Sequence, residues 1–298
     1  MRKPGWLALA LLLGPPGAAN AQDPSPLLPA SVREEYERRL AEARRAYQHT
    51  PNNADSIIWL GRRTAYLGGY REAIEIFTEG VRKHAGDARM LRHRGHRYLT
   101  IREFGKAIAD FELGLRQVAG QPDQVEPDGI PNARGIPTST LHSNLRYHLG
   151  LAYYLEGRFD RAAEVYRQDV DAARATNNPD MLVASSHWLY MALRRGGQTT
   201  QAAAVLDPIT RDLPVIENGS YHRLLLWYKG ELAPDSLLAV SDPREWTTVE
   251  AVTLGYGLGN WHLYNGRREV AFTVFRRIVA SPQWAAFGYI AAEAELRR

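Results

Sequence analysis

The sequence lacks cysteine altogether, and beyond its first residues it has no long apolar run. Without cysteine the chain has neither disulfide bonds nor the lipid-modified cysteine of a bacterial lipoprotein. A membrane-spanning helix needs about 20 apolar residues, so no stable membrane anchor is expected. A fold built from this chain must therefore be held together by packing, for which a hydrophobic content of 45% in 298 residues is sufficient.

The N-terminus has the pattern of a secretory signal peptide. Arg2 and Lys3 precede an apolar run from Trp6 to Leu13, and the small-residue site Ala19-Asn20-Ala21 follows. We expect cleavage after Ala21 and a location in the periplasm or outside the cell. Loss of Arg2 and Lys3 lowers the formal net charge of +4 by two. A nearly neutral exported chain is a poor candidate for nucleic-acid binding.

The rest of the chain repeats itself. "LGRRTAYLGGYREAIEIF" at 60–77 returns 34 residues later as "RGHRYLTIREFGKAIADF" at 94–111. Further copies follow at larger intervals, in "LGLAYYLEGRFDRAAEVY", "MALRRGGQTTQAAAVL" and "LGNWHLYNGRREVAFTVF". A degenerate copy, "HRLLLWYKGELAPDSLLAV", fills the remaining gap, and Pro234 shortens its second helix. A period of this length predicts stacked helix pairs, each of which needs a neighbour to bury its apolar face.

The recurring residues have definite packing roles. One set of glycines lets the two helix backbones of a pair approach closely. These glycines are Gly61, Gly95, Gly150 and Gly259. A second set ends the first helix of a pair and comprises Gly68, Gly157, Gly197 and Gly266. Aromatic residues fill the space beyond, at Phe77, Phe111, Tyr166 and Phe275.

This pattern resembles the tetratricopeptide repeat over roughly residues 31–298. The resemblance implies an all-α fold, a right-handed superhelical solenoid of antiparallel helix pairs with about five to six repeats and a capping helix at each end. It also implies a scaffold that binds a protein or peptide in a concave groove. The family's clamp for a C-terminal carboxylate is not transferred here, because its lysine and asparagine pattern is missing.

The expected organisation follows from these landmarks, and Ser31 is the expected N-cap of the first helix. The expected order of segments is a signal peptide at 1–21, a Pro-rich linker at 22–30, an N-terminal capping helix at 31–53, repeats 1 and 2 at 54–117, a Pro/Gly-rich insertion at 118–142, repeats 3 to 6 at 143–281, and a C-terminal capping helix at 282–298.

The insertion "QPDQVEPDGIPNARGIPTST" has too many prolines to be helical. Long loops in compact proteins are often functional. Two interpretations stay open: a tolerated surface insertion, or a flap that covers the groove and contacts the partner.

Helical phase gives the candidate groove residues. The first helices are expected to line the groove, which makes it basic in its N-terminal half and aromatic throughout. The candidates are Trp59, Arg62, Arg89, Arg92, His93, His96, Tyr147, His148, Tyr256 and Asn260. The charged run "RHRGHR" is equally compatible with a solvated helix face, and the aromatic residues with burial between repeats.

Catalytic and metal-binding patterns are scarce. His93 and His96 lie one turn apart, but no third ligand is close in the sequence, so we expect neither a metal nor a cofactor. Ser185, Ser186 and His187 are adjacent, which directs their side chains to different sides of a helix.

Two functional hypotheses remain. The first is an exported, non-enzymatic adaptor that binds a protein or peptide in its groove, where the basic residues favour an acidic partner. The second is a repeat domain with, or accessory to, a hydrolytic or sugar-processing enzyme of the cell envelope. A pocket with paired carboxylates would favour the second, and an extended groove the first.

Overall fold

The computed structural model describes residues 23–233, residue 237 and residues 246–298. The signal-peptide segment and the expected second helix of the degenerate repeat lie outside the described residues. The described part consists of helices and connecting segments, with one isolated antiparallel bridge between Val125 and Thr140. No helix in this part is long and apolar enough to cross a membrane.

Thirteen helices follow one another in the described ranges. The first seven are α1 Ala30–His49, α2 Ala54–Tyr66, α3 Tyr70–Lys83, α4 Ala88–Thr100, α5 Phe104–Val118, α6 Leu141–Leu155 and α7 Phe159–Ala175. The other six are α8 Pro179–Arg195, α9 Thr199–Val205, α10 Gly219–Tyr228, α11 Val249–Tyr264, α12 Arg268–Val279 and α13 Phe287–Arg297.

Consecutive helices pack in pairs, as the repeat predicts. The first helices of neighbouring pairs also contact one another, α2 with α4, α4 with α6, and α6 with α8. These first helices therefore form the inner, concave layer. The predicted all-α solenoid of antiparallel helix pairs is confirmed.

The recurring glycines and aromatic residues meet inside four of the pairs. A Cβ added to Gly61 would lie 2.5 Å from the ring of Phe77, and one added to Gly95 would lie 2.6 Å from the ring of Phe111. Any larger residue would push the aromatic ring out of the core, so the spacing of these two landmarks reflects one repeated contact.

The turn between the two helices of a pair needs a left-handed residue. Glycine supplies it at Gly68, Gly157, Gly197 and Gly266. In the second repeat the equivalent residue is Arg102, whose φ is 65°. A non-glycine residue is sterically strained in this conformation, and the contacts of the Arg102 side chain, described below, offset that strain.

The N-terminal helix starts one residue earlier than expected. Ala30 is its first residue and Pro29 is the N-cap, so Ser31 lies inside the first turn and does not cap the helix. Proline at this boundary fixes φ near the helical value, which favours the earlier start.

The C-terminal helix is more than an end cap. Helix α13 packs against α11 and α12 and also reaches α6, near the middle of the chain. The segment before it carries Trp284, which stacks on Tyr70 of the first repeat with 5.8 Å between ring centroids. The solenoid therefore closes on its own concave side.

Candidate functional site

Basic side chains from two inner helices, α2 and α4, converge on the concave side. Helix α4 contributes Arg92, His93, His96 and Arg97, which share a face because they are spaced by one, three and four residues. Together with neighbours from α2 and α3 they enclose a cavity of about 110 Å³. This arginine chamber is lined by Arg62, Ala65, Tyr66, Phe77, Arg92, His93, His96 and Arg97.

A second cavity of about 310 Å³ adjoins the first and shares Arg92 and His96 with it. Its walls come from α4, α6, α8, α10, the insertion and the C-terminal segment. This aromatic chamber is lined by Arg92, His96, Thr138, Ser139, Asn144, Tyr147, His148, Met181, Ala184, Glu217, Asn218, Tyr221 and Phe287.

The insertion is fastened over the arginine chamber by Glu126. Its carboxylate lies 2.9 Å from Nε of Arg92 and 3.5 Å from Nε2 of His93, and it accepts a 2.9 Å hydrogen bond from Asn144. Glu126 is itself buried, so these contacts compensate a charge removed from water.

The backbone of the insertion is held as well. Arg62 donates to the carbonyl of Pro127 at 2.8 Å, and Arg63 donates to that of Gly129 at 2.8 Å. Gly129 sits so close to Tyr66 that any Cβ there would collide with the phenol oxygen. The insertion thus contacts the concave face, as the flap interpretation requires, whereas its contact with a partner stays a prediction.

The far end of the insertion is anchored by Glu217. Its carboxylate accepts 2.6 Å and 2.7 Å hydrogen bonds from Asn132 and Thr138. Glu217 is held in turn by Asp180, whose carboxylate accepts from the backbone N–H groups of residues 216, 217 and 218 at 2.8–3.0 Å. Sequence reasoning missed Glu126, Asp180 and Glu217, because two of them lie in segments without periodicity and the third is an ordinary first-turn acid.

The C-terminal segment closes the other side of the concave face. The ring of Phe287 lies 5.4 Å from that of His96, 5.6 Å from that of His148 and 6.3 Å from that of Tyr147. Rings from two helices, α4 and α6, therefore contact Phe287, and the C-terminal segment forms one wall of the aromatic chamber.

Burial keeps the histidines uncharged. It lowers the pKa of His148 to about 3, and the charge of Arg92 adds to the effect. Burial also lowers the pKa of His93 and of His96 well below the usual value, again reinforced by neighbouring arginines. At neutral pH the positive charge of the arginine chamber thus comes from its guanidinium groups.

Six of the predicted groove residues come together here. They are Arg62, Arg92, His93, His96, Tyr147 and His148. Trp59 lies at the margin, where its ring stacks under the guanidinium groups of Arg62 and Arg63 at 4.5 Å and 4.7 Å.

The other three predicted residues lie elsewhere. Arg89 faces the edge of the array, where it pairs with Asp55 at 2.7 Å and with Asp87. Tyr256 is fully buried and donates a 2.9 Å hydrogen bond to Tyr154, and Asn260 is also buried. The last two belong to the core because α11 packs against the middle repeats.

The neighbouring triplet on α8 does not form a nucleophile and base. Ser185 donates to Asp169 at 2.7 Å, whereas the ring of His187 stacks on Tyr221 with 4.7 Å between centroids. Within the described ranges no three histidine or acidic side chains are placed to hold a metal ion.

Comparison with known proteins rests on solved structures, since no family model and no curated protein matches the chain. YrrB, a tetratricopeptide-repeat (TPR) protein with an unusual peptide-binding site, is 14% identical with a TM-score of 0.43, covering 85% of this chain and 97% of its own. A TPR protein from Parabacteroides merdae is 15% identical with a TM-score of 0.48, covering 83% and 87%. A kinesin light chain with TPR-like repeats from Podosopora anserina is 16% identical with a TM-score of 0.47, covering 83% and 98%.

The chain resembles tetratricopeptide-repeat proteins. In four of its helix pairs, a glycine of the first helix packs against an aromatic ring of the second, at the residues that the repeat pattern singles out.

Proposed function

We propose that this protein is an exported scaffold that binds an acidic protein or peptide segment over the N-terminal half of its concave face. The insertion and the adjoining Trp59 and Arg63 form the docking surface. The protein's own C-terminal segment packs against the centre of the concave face, so the partner contacts the outer side of the insertion. The proposal of export rests on the signal-peptide pattern of residues 1–21.

One observation carries the proposal. The insertion exposes three large apolar side chains, Val125, Ile130 and Ile136, with 62%, 58% and 49% of their surfaces accessible. Its backbone is nevertheless pinned by Arg62, Arg63 and Glu126, as described above. A fixed loop that presents apolar side chains to solvent is typical of a protein interaction site.

The charge of the surroundings favours an acidic partner. Arg63 lies beside the insertion, and its only hydrogen bond in the described part of the chain goes to a backbone carbonyl. Burial lowers the pKa of Arg63, as expected for a guanidinium group that lacks a carboxylate partner. An acidic side chain from a partner would supply the missing negative charge next to Arg63, at the rim of the interface.

The test is affinity capture from a cell-envelope extract with two variants. The first replaces Val125, Ile130 and Ile136 by serine, and the second, as a matched control, replaces the exposed Val249 and Val270 by serine. We expect a protein that the wild type and the control capture and that the first variant loses, with equal helical content by circular dichroism. Equal capture by all three baits would contradict the proposal.

Export is tested separately by mass spectrometry of the N-terminus in cell fractions. We expect a chain starting at Gln22 outside the cytoplasm. A full-length, unprocessed chain confined to the cytoplasm would exclude export.

A further inference from the structure

The arginine chamber holds more positive charge than its own acidic residues neutralise. Glu126 pairs with Arg92. Arg62 donates only to the phenol oxygen of Tyr66 and the carbonyl of Pro127. Arg97 has no hydrogen-bond or ion-pair partner in the described part of the chain, and its nearest aromatic contact is the ring of Tyr70, 5.9 Å away.

Other groups around the chamber do not correct this imbalance. The histidines that line it are neutral, as shown above, and can only donate or accept hydrogen bonds. Asp128 of the insertion is the next carboxylate. Burial raises its pKa and the charge of Arg62 acts in the opposite direction, but the two form no ion pair in the described part of the chain. Arg63 lies nearby and adds positive charge.

A buried charge without a partner of opposite sign strongly destabilises a folded protein. Arg62 is buried and Arg97 is partly buried, and desolvation lowers the pKa of Arg97 to about 10. Two guanidinium groups without an ion-paired carboxylate line this small cavity, so both would stabilise a further anion bound there. Their flat, forked N–H groups match the oxygen atoms of a tetrahedral or planar oxyanion.

We infer that the arginine chamber is a binding site for a phosphate group, either inorganic phosphate or a phosphate monoester. A dianion balances the charges of Arg62 and Arg97, whereas a carboxylate balances only one of them. The 110 Å³ cavity has room for one small oxyanion. The adjoining aromatic chamber, with Tyr147, Tyr221 and Phe287 in its walls, has room for the uncharged part of a monoester.

The site is independent of the proposed partner surface. The phosphate group lies beneath the insertion, and the exposed Val125, Ile130 and Ile136 lie on its outer side. Failure of phosphate binding would leave the capture experiment unaffected, and failure of the capture experiment would leave phosphate binding unaffected.

Isothermal titration calorimetry of the purified protein tests the inference with inorganic phosphate, phenyl phosphate and benzoate. We expect binding of a phosphate compound and at least tenfold weaker binding of benzoate, since one negative charge is missing. Phenyl phosphate that binds at least as tightly as inorganic phosphate identifies a monoester site, and weaker binding identifies a site for free phosphate. No heat from either phosphate compound would overturn the inference.

Arg97→Gln and Arg89→Gln are the matched variants, because both remove one guanidinium group from α4 and only Arg97 lines the chamber. Arg97→Gln should weaken phosphate binding about tenfold or more, the effect of one lost charge-assisted hydrogen bond. Arg89→Gln should leave it unchanged. Equal affinities of the two variants would overturn the inference.

A melting experiment keeps the test valid if Arg97→Gln changes folding. Phosphate should raise the melting temperature of the wild type and of Arg89→Gln, because it binds only the folded state. Arg97→Gln should lose most of this increase and, in phosphate-free buffer, should melt at or above the wild-type temperature, because it removes an unpaired charge. An undiminished phosphate-dependent increase in Arg97→Gln would contradict the site.

Discussion

The guanidinium group of Arg102 lies 3.8 Å from the centre of the Trp284 ring, 182 residues further along the chain. Arg102 also donates to the backbone carbonyl of Trp284 at 2.9 Å and to Glu293 at 2.7 Å. One side chain in the turn of the second repeat thus holds the start of the C-terminal segment and its helix. These contacts explain why this turn tolerates a left-handed arginine where the other repeats have glycine.

Replacement of Trp284 by alanine tests the closure of the solenoid. The variant loses the stacking on Tyr70 and the cation–π contact with Arg102, so the free energy of unfolding should fall by about 2–3 kcal/mol. Urea unfolding measures this change, and Val270→Ala at an exposed site is the control. A change below about 0.5 kcal/mol would show that the segment is not held in this position.

Two substitutions of Arg102 distinguish the effect of backbone strain on stability from the effect of side-chain contacts. Arg102→Gly and Arg102→Ala both lose the contacts with Trp284 and Glu293, but only glycine adopts the left-handed conformation without a steric cost. We therefore expect the glycine variant to be more stable than the alanine variant by about 1 kcal/mol. Urea unfolding of both variants measures this difference, and equal stabilities would argue against a left-handed residue at this turn.

The packing of Gly95 against the ring of Phe111 predicts that one added methyl group strongly lowers the stability of the protein. Gly95→Ala places a Cβ 2.6 Å from the ring of Phe111, so the ring must move and the free energy of unfolding should fall by about 1–3 kcal/mol. Gly86→Ala is the control, because nothing lies within 4 Å of its added Cβ. Combining Gly95→Ala with Phe111→Leu should cost less than the sum of the two single changes, and thermal melting checks both results.

Acid should destabilise the protein through its buried histidines. Burial lowers the pKa of His148 and of His187 to about 3, and the pKa of His93 and of His96 falls well below 6.5. The unfolded chain therefore binds more protons below about pH 6.5, and stability falls as the pH drops from there towards the folded values. Asp169, whose pKa burial raises to about 6, acts in the opposite sense and offsets only part of this loss.

Urea unfolding at several pH values between 7.5 and 5 measures the loss. His148→Gln should reduce the slope by up to about 1.4 kcal/mol per pH unit. His49→Gln, at an exposed residue, should leave the slope unchanged. An unaltered slope in His148→Gln would show that this histidine is not held neutral by the fold.

The sequence predicts the contacts within a repeat but not the contacts between distant repeats. Gly61 and Phe77 are 16 residues apart, as are Gly95 and Phe111, so one period reveals both the residues and their packing. Tyr70 and Trp284 belong to opposite ends of the array, and no spacing relates them. Their contact depends on the summed curvature of all the repeats.

The same limit applies to the candidate site. Arg92 and His96 line both chambers, on the side that helical phase indicates, because phase shows which way a side chain points. It could not show whether another part of the chain covers that side. Tyr256 and Asn260 point inwards as well, but α11 packs against the middle repeats and buries them.

The stacking of Trp284 on Tyr70 also has a consequence for biosynthesis. Ribosomes make the first repeat early, yet the apolar cluster of that repeat includes Trp284 and Ala285. Its core therefore stays incomplete until these residues have been made. Contacts between such distant parts of a chain slow folding, so the N-terminal repeats remain less compact while the rest of the protein is synthesised.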